Sequence, residues 1–126
     1  MPHHVSKARF AELVEKAAAT LPPQFAEALQ EVPIEIRERP SRQMLRSLGM
    51  EDDELLLGLY HGRPRTERSV EDSGRMPDVI YVFQEDVELA SESEADLVEQ
   101  VRTTVLHELG HHFGMSEEDL DQLGYG

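Results

Sequence analysis

The spacing of apolar residues predicts helices in the first part of the chain. Ser6 precedes an apolar pattern with three-to-four spacing, which is typical of an amphipathic helix that begins after a serine N-cap. The pattern is carried by Phe10, Leu13, Val14 and Ala17. Pro23 can begin a second, shorter helix, because proline is tolerated at the first helical position. Ser41 is placed to cap a third helix, which Gly49 ends.

Three other stretches predict β-strands. Residues 32–38 alternate apolar and charged side chains, as a half-exposed strand does. Residues 55–61 are mainly apolar, and Gly58 within them indicates a bulge or a close approach by another part of the backbone. Residues 77–83 give the strongest strand pattern, with an apolar run that indicates burial on both faces. The polar residues 62–75 predict a long loop or an open hairpin.

The longest helix is predicted near the C-terminus. Ser93 and Asp96 form an N-terminal capping signature, and a loop is expected before them at residues 84–86. The apolar stripe of this helix is formed by Leu97, Val98, Val101, Val105, Leu109 and Phe113. Ser116 is placed to cap a last helix over residues 117–123.

These elements together predict an α+β fold. A small mixed β-sheet should pack against the N-terminal helix and the long C-terminal helix. The chain has 126 residues and neither repeats nor a linker, so a single domain, 1–126, is expected.

The charge and composition argue against several classes of function. Acidic residues number 26 against 12 Lys and Arg, which gives a net charge of −14. Nucleic acid and anionic membranes are therefore not expected as partners, because phosphate groups need a basic surface. There is no cysteine, no apolar run of membrane-spanning length and no apolar signal core, so a cytoplasmic protein is expected. His3 and His4 are expected in a frayed N-terminus rather than in a metal site.

The long helix carries the motif H-E-x-x-H at its C-terminal end. Residues four apart share one face of a helix, so His107 and His111 can present two imidazole nitrogens to one ion. Zinc accepts neutral imidazole, and a catalytic zinc has three protein ligands and one position for water. Glu108 is rotated by roughly 100° from His107, which suits a general base that does not bind the metal. The motif predicts hydrolysis assisted by Zn²⁺.

A third metal ligand is predicted after the helix. Gly114 can adopt a positive φ, which would end the helix and return the chain toward the metal. Glu117 would then supply a carboxylate oxygen as the third ligand. Asp121 is the alternative, one helical turn beyond Glu117.

Other polar residues near the motif have two interpretations each. His112 points roughly 100° away from His111, so packing or support of the ligands is expected rather than metal binding. Tyr60, His61 and Tyr81 lie on predicted strands that can border the cleft. Packing within the strand is expected first for each of the three, and a role in the cleft is the alternative.

The motif resembles the active-site helix of the zincin metallopeptidases. Its extended form, H-E-x-x-H-x-x-G-x-x-E, is similar to that of metzincins with an acid in place of the third histidine. Together with residues 55–64, 77–83 and 101–106, it resembles a family of very small bacterial zincin-like proteins whose motif is H-E-x-x-H-x-x-G-x-x-D. This chain departs from that motif with Glu117, and it has no methionine beyond Met115 to form the Met-containing turn of metzincins. The resemblance implies a minimal zincin-like fold and a zinc site. Zincins often use a Tyr, His or Arg to hold the oxyanion, so the resemblance also makes Tyr60, His61 and Tyr81 candidates for that role.

The sequence therefore predicts a zinc metallopeptidase. His107, His111 and Glu117 would hold the ion, and Glu108 would be the catalytic base. The partner would be a peptide or protein substrate, and a further protein can complete the cleft. The alternative is a metal-binding interaction or regulatory protein with little or no turnover. A purely structural zinc fits the placement of Glu108 poorly, because structural sites usually have four protein ligands.

Overall fold

The computed structural model describes residues 2–62 and 78–122, and it describes Glu117 by its backbone alone. The predicted loop at residues 62–75 and the end of the last helix at residue 123 therefore fall largely outside the described residues. The elements in chain order are α1 (Lys7–Ala18), α2 (Pro23–Ala28), β1 (Ile34–Arg37), α3 (Arg42–Ser47), β2 (Gly58–His61), β3 (Val79–Phe83), α4 (Gln84–Leu89), α5 (Glu94–His112) and α6 (Glu117–Gln122).

Three of the helices begin at the serine caps that the sequence predicts. The hydroxyl oxygen of Ser6 accepts a hydrogen bond from the backbone N–H of Arg9 at the start of α1. Ser41 does the same at the start of α3, and Ser93 at the start of α5. Each serine satisfies a backbone donor that has no partner within its own helix, which stabilises a helix by roughly 1 kcal/mol.

The three strands form one mixed sheet in the order β1-β3-β2. β1 runs parallel to β3, and β2 runs antiparallel to it. On one face of β3, Ile80 and Val82 are fully buried against the helices. Val79 and Tyr81 on the other face are only half-buried, so the predicted burial of both faces is wrong for most of this strand. The α+β fold class is confirmed.

β2 is shorter than the apolar run that predicted it. Residues 55–57 are not part of the strand, although the carbonyl oxygen of Leu57 accepts a hydrogen bond from the N–H of Phe83. Gly58 is the point where α5 crosses close to β2. A Cβ at this position would lie 2.5 Å from Cγ2 of Thr104 on α5 and 2.8 Å from the carbonyl oxygen of Tyr81. The carbonyl oxygen of Tyr81 confirms the expected close approach by another backbone, and the Thr104 side chain places β2 directly beside the long helix.

The loop predicted at residues 84–86 is wrong, because a short helix, α4, begins there. Glu88 on this helix is only 5% exposed and anchors the N-terminal segment. Its carboxylate accepts from the N–H of Val5 and lies 3.0 Å from Nδ1 of His4. Burial alone would raise the pKa of Glu88, but hydrogen bonds from Gln84, His4 and Val5 hold it below the ordinary value. The N–H of His3 also donates to the carbonyl oxygen of Glu88, so the expected frayed terminus is wrong for His3 and His4.

The core lies between the sheet and the two long helices. Its fully buried apolar side chains come from α1, α2, α4, α5, the sheet and the segment before β1, and they include Phe10, Phe25, Val32, Ile80, Val82, Val87, Leu97, Val101 and Leu109. This packing fixes α5 along its length, although its β-branched residues lower its intrinsic helix propensity. Of the helices in residues 2–62 and 78–122, none combines the length and apolarity that crossing a bilayer requires.

Candidate metal centre

His107 and His111 lie in the last turns of α5, which ends at His112. Their positions are four residues apart, so they differ by only roughly 40° around the helix axis. His107 is half-buried, and the side chain of His111 is 43% exposed. The fold therefore keeps one face of the helix end accessible while the opposite face enters the core.

The carboxylate of Glu108 is held between the helix and the sheet edge. It is 15% exposed, and its Oε1 accepts a hydrogen bond from the backbone N–H of Tyr60 on β2 at 2.7 Å. Nδ1 of His111 lies 3.5 Å from the same oxygen. Burial raises the pKa of the Glu108 carboxyl, and the Tyr60 N–H and the neighbouring imidazoles of His111 and His107 oppose that rise. The carboxylate is thus fixed in orientation beside the two histidines.

The helix ends in a Schellman motif, as the glycine predicts. Gly114 has φ of 77°, and its N–H donates to the carbonyl oxygen of His111 at 3.0 Å. The N–H of Met115 donates to the carbonyl oxygen of Gly110 at 2.8 Å. These two bonds satisfy carbonyl groups that the end of the helix would otherwise leave unpaired, and they turn the chain back along α5.

α6 starts immediately after this turn. The hydroxyl oxygen of Ser116 accepts from the N–H of Asp119, and the carboxylate of Asp119 accepts from the N–H of Ser116. This reciprocal capping box makes Glu117 the first residue of α6. The side chain of Glu117 lies outside the described part of the structure, so its role as third ligand stays a prediction. Asp121 is exposed on the same helix.

The donor chemistry of the site suits Zn²⁺. Two imidazoles project from one helix face, and a carboxylate stands beside them in an orientation fixed from the sheet, as zinc hydrolases require. Within the described residues, no three His, Asp or Glu side chains form a group that could hold a metal ion. The two histidines fit the ion as ligands, and the third ligand is assigned below as a proposal.

A buried polar cluster lies behind the motif. His112 is fully buried, and its Nδ1 is 3.4 Å from both the hydroxyl oxygen of Tyr60 and Oδ2 of Asp78. The hydroxyl of Tyr60 donates to the same oxygen of Asp78 at 2.5 Å. His112 therefore packs in the interior against Tyr60 and Asp78, as expected from its position in the motif. Sequence reasoning missed Asp78, and the only signal was an acid placed directly before a buried strand.

The three candidates for oxyanion stabilisation lie in different places. Tyr60 faces α5, but its hydroxyl is engaged by Asp78. His61 and Tyr81 lie on the opposite face of the sheet, where their rings are 6.2 Å apart. The guanidinium of Arg37 also stacks over the ring of Tyr81 at 4.4 Å. The side chains of His61 and Tyr81 therefore pack on the sheet face away from α5, which is the interpretation expected first for both.

Comparisons with known proteins agree with this fold and identify a family. A family model described as "Zincin-like metallopeptidase" matches residues 29–126. Among solved structures, a conserved hypothetical protein from Thermo thermophilus is similar, with a TM-score of 0.56 and 21% identity over 94% of this chain and 97% of that one. At this level of identity the likeness concerns the fold alone. No curated protein matches the chain.

Proposed function

The chain belongs to the zincin-like metallopeptidase family, and from that premise we propose that it is a zinc-dependent peptidase. His107, His111 and Glu117 would hold the ion, and Glu108 would be the general base. The observation that carries the proposal is the position of Glu108, whose carboxylate is fixed by the Tyr60 N–H beside the paired histidines. A carboxylate without a chemical role would gain more free energy from full hydration at the surface.

Each residue has a defined part in the proposed reaction. When bound, zinc would supply Lewis acidity toward the scissile carbonyl and toward water. Glu108 accepts a proton from the attacking water and passes it to the leaving amine. The N–H of Tyr60 keeps the Glu108 carboxylate aimed during both transfers, which reduces the reorganisation that the reaction requires.

The substrate is proposed to be a peptide in extended form. Within residues 2–62 and 78–122, β2 lies at one edge of the sheet, and the close approach at Gly58 places it beside α5. An extended chain can add to such an edge through backbone hydrogen bonds, which recognise any peptide irrespective of its side chains. A partner protein that completes the cleft fits the same proposal.

Metal removal tests the function. We expect purified protein to contain about one zinc per chain and to cleave members of a broad peptide library. A chelator should abolish cleavage and added Zn²⁺ should restore it, because the scissile carbonyl would otherwise lack an electrophile. Zinc content is measured by elemental analysis and cleavage by mass spectrometry of the library.

Two outcomes would decide against this proposal. Cleavage that continues in the metal-free protein would exclude the zinc mechanism. Zinc binding without cleavage of any library peptide would favour the alternative, a metal-binding interaction or regulatory protein of the same fold.

The third ligand is proposed to be Glu117 rather than Asp121. The Schellman turn at Gly114 reverses the chain three residues after His111, and the capping box at Ser116 makes Glu117 the first residue of α6. Asp121 is one turn further along, and its side chain is shorter by one methylene. Position 117 is therefore the first after the turn at which an acid can reach back to the ion.

Zinc titration of two alanine variants tests this assignment. Glu117→Ala should weaken zinc binding by at least about tenfold, equivalent to about 1.4 kcal/mol, because it removes a charged ligand. Asp121→Ala should weaken it much less and is the matched control, since both variants remove one acid from α6. If Asp121→Ala has the larger effect, the final helix itself and not the glycine turn completes the site.

A further inference from the structure

α6 packs on the motif helix through one closely fitted contact. Leu120 is fully buried against Gly110. Its side chain occupies the space that a Cβ atom at position 110 would need. A Cβ built on Gly110 would lie 2.8 Å from Cδ1, 3.0 Å from Cδ2 and 3.2 Å from Cγ of Leu120. The shortest of these contacts is repulsive, so alanine at position 110 would require Leu120, which is fully buried, to move from its present position.

Gly110 lies in the middle of the metal-binding motif. It is three residues beyond His107, on the same side of α5, and it directly precedes His111. Its carbonyl oxygen also accepts the hydrogen bond from Met115 that closes the turn into α6. Leu120 therefore packs beside the part of α5 that carries both histidines. Two contacts hold α6 there: the hydrogen bond from Met115 at the turn and the packing of Leu120 in the middle of α6.

The same contact determines which residues of α6 meet α5. Position 117 is three residues before Leu120 on the same short helix, so the packing of Leu120 against α5 also sets where the backbone of position 117 lies relative to α5. Ser116 and Asp119 fix where α6 begins and therefore its rotation relative to the turn. A displaced Leu120 would move Glu117 with it.

We propose that Gly110 and Leu120 are positioning residues for the metal centre. Their contact sets the position of α6 against the motif helix and thereby the distance from Glu117 to the ion. This inference rests on the proposed function, since it assigns a role in metal binding to residues that do not touch the metal.

The test combines one enlarging and one reducing substitution. Gly110→Ala should weaken zinc binding by at least about tenfold, although alanine has the higher helix propensity and should favour α5 itself. Leu120→Ala removes the side chain that the new methyl group would strike. The double variant should therefore bind zinc at least about threefold more tightly than Gly110→Ala alone, a non-additive effect expected only for residues in contact.

Hydrogen exchange on the metal-free proteins provides a readout that does not depend on zinc. The N–H of Leu120 donates to the carbonyl oxygen of Ser116, so its exchange reports on the seating of α6. Gly110→Ala should accelerate this exchange while leaving the amides of α1 unchanged, and Leu120→Ala alone should accelerate that of the neighbouring Asp119. These measurements also apply if one variant is too unstable to titrate.

The outcomes separate this inference from the proposed function. Unchanged exchange in α6 of Gly110→Ala would show that the contact does not seat the helix, and the inference would fail. Faster exchange with unchanged zinc affinity would show that the seat does not position a ligand, and the inference would also fail while the zinc site stands. If the wild-type protein binds no zinc, the proposed function fails and this inference fails with it.

Discussion

Glu108→Gln is expected to lower peptide cleavage by about a hundredfold to ten-thousandfold, the usual contribution of a general base. Glutamine has nearly the same shape, and its side-chain oxygen can still accept the hydrogen bond from the Tyr60 N–H that fixes this position. The amide cannot take a proton from water at neutral pH. Zinc should stay bound, because His107 and His111 are unchanged. Cleavage rate and zinc content are measured on the same preparation.

A second glutamate on the same helix provides the control. Glu99 is exposed on α5, two turns before the motif, so Glu99→Gln removes one negative charge without changing the site. It should cleave at the wild-type rate. If Glu108→Gln cleaves about as fast as this control, Glu108 is not the base and the proposed mechanism is wrong. A Glu108→Gln variant that loses its zinc would instead assign Glu108 to the metal.

The ends of the helices could be predicted from the sequence because they are determined locally. Ser6, Ser41 and Ser93 cap their helices through atoms three residues away. Gly114 ends α5 because only glycine adopts its positive φ without a steric cost. The motif required no tertiary information either, since the spacing of His107 and His111 places them on one face of any helix.

The surroundings of the motif could not be predicted, because they depend on how the sheet meets α5. The hydrogen bond from Tyr60 to Glu108 joins residues that are 48 apart in sequence. The contacts of Asp78 with Tyr60 and His112 join β2, α5 and the residue before β3. Alternation along β2 indicates that Tyr60 and His61 face opposite ways, but it does not indicate which of them faces the helix.

The missed helix has a different cause. α4 is one of the shortest helices in the described part of the chain, and its first turn carries the polar residues Gln84, Glu85 and Asp86, which a surface loop also has. Packing stabilises it, since Val87 is fully buried and Glu88 holds the N-terminal segment. From the sequence, the side chain of Glu88 is expected at the surface, because acidic side chains are buried only where the tertiary structure supplies hydrogen-bond donors.

Replacing both His107 and His111 by alanine is expected to weaken zinc binding by at least about a thousandfold, equivalent to about 4 kcal/mol. The double variant removes both imidazole ligands from one face of α5 and leaves at most a single carboxylate. His112 cannot replace them, because it is fully buried against Asp78 and Tyr60 on another side of the helix. Both alanines are good helix formers, so α5 and the core that it shares with α1 should remain folded.

Isothermal titration with Zn²⁺ measures this loss, with circular dichroism to confirm the helix content. His61→Ala is the matched control, since His61 is an exposed histidine on the sheet face away from α5, and it should bind zinc as the wild type does. Zinc binding that survives in the double variant would place the metal elsewhere in the chain. The orientation of Glu108 beside the helix end would then need another explanation, because a general base has no function here without the ion that activates its water.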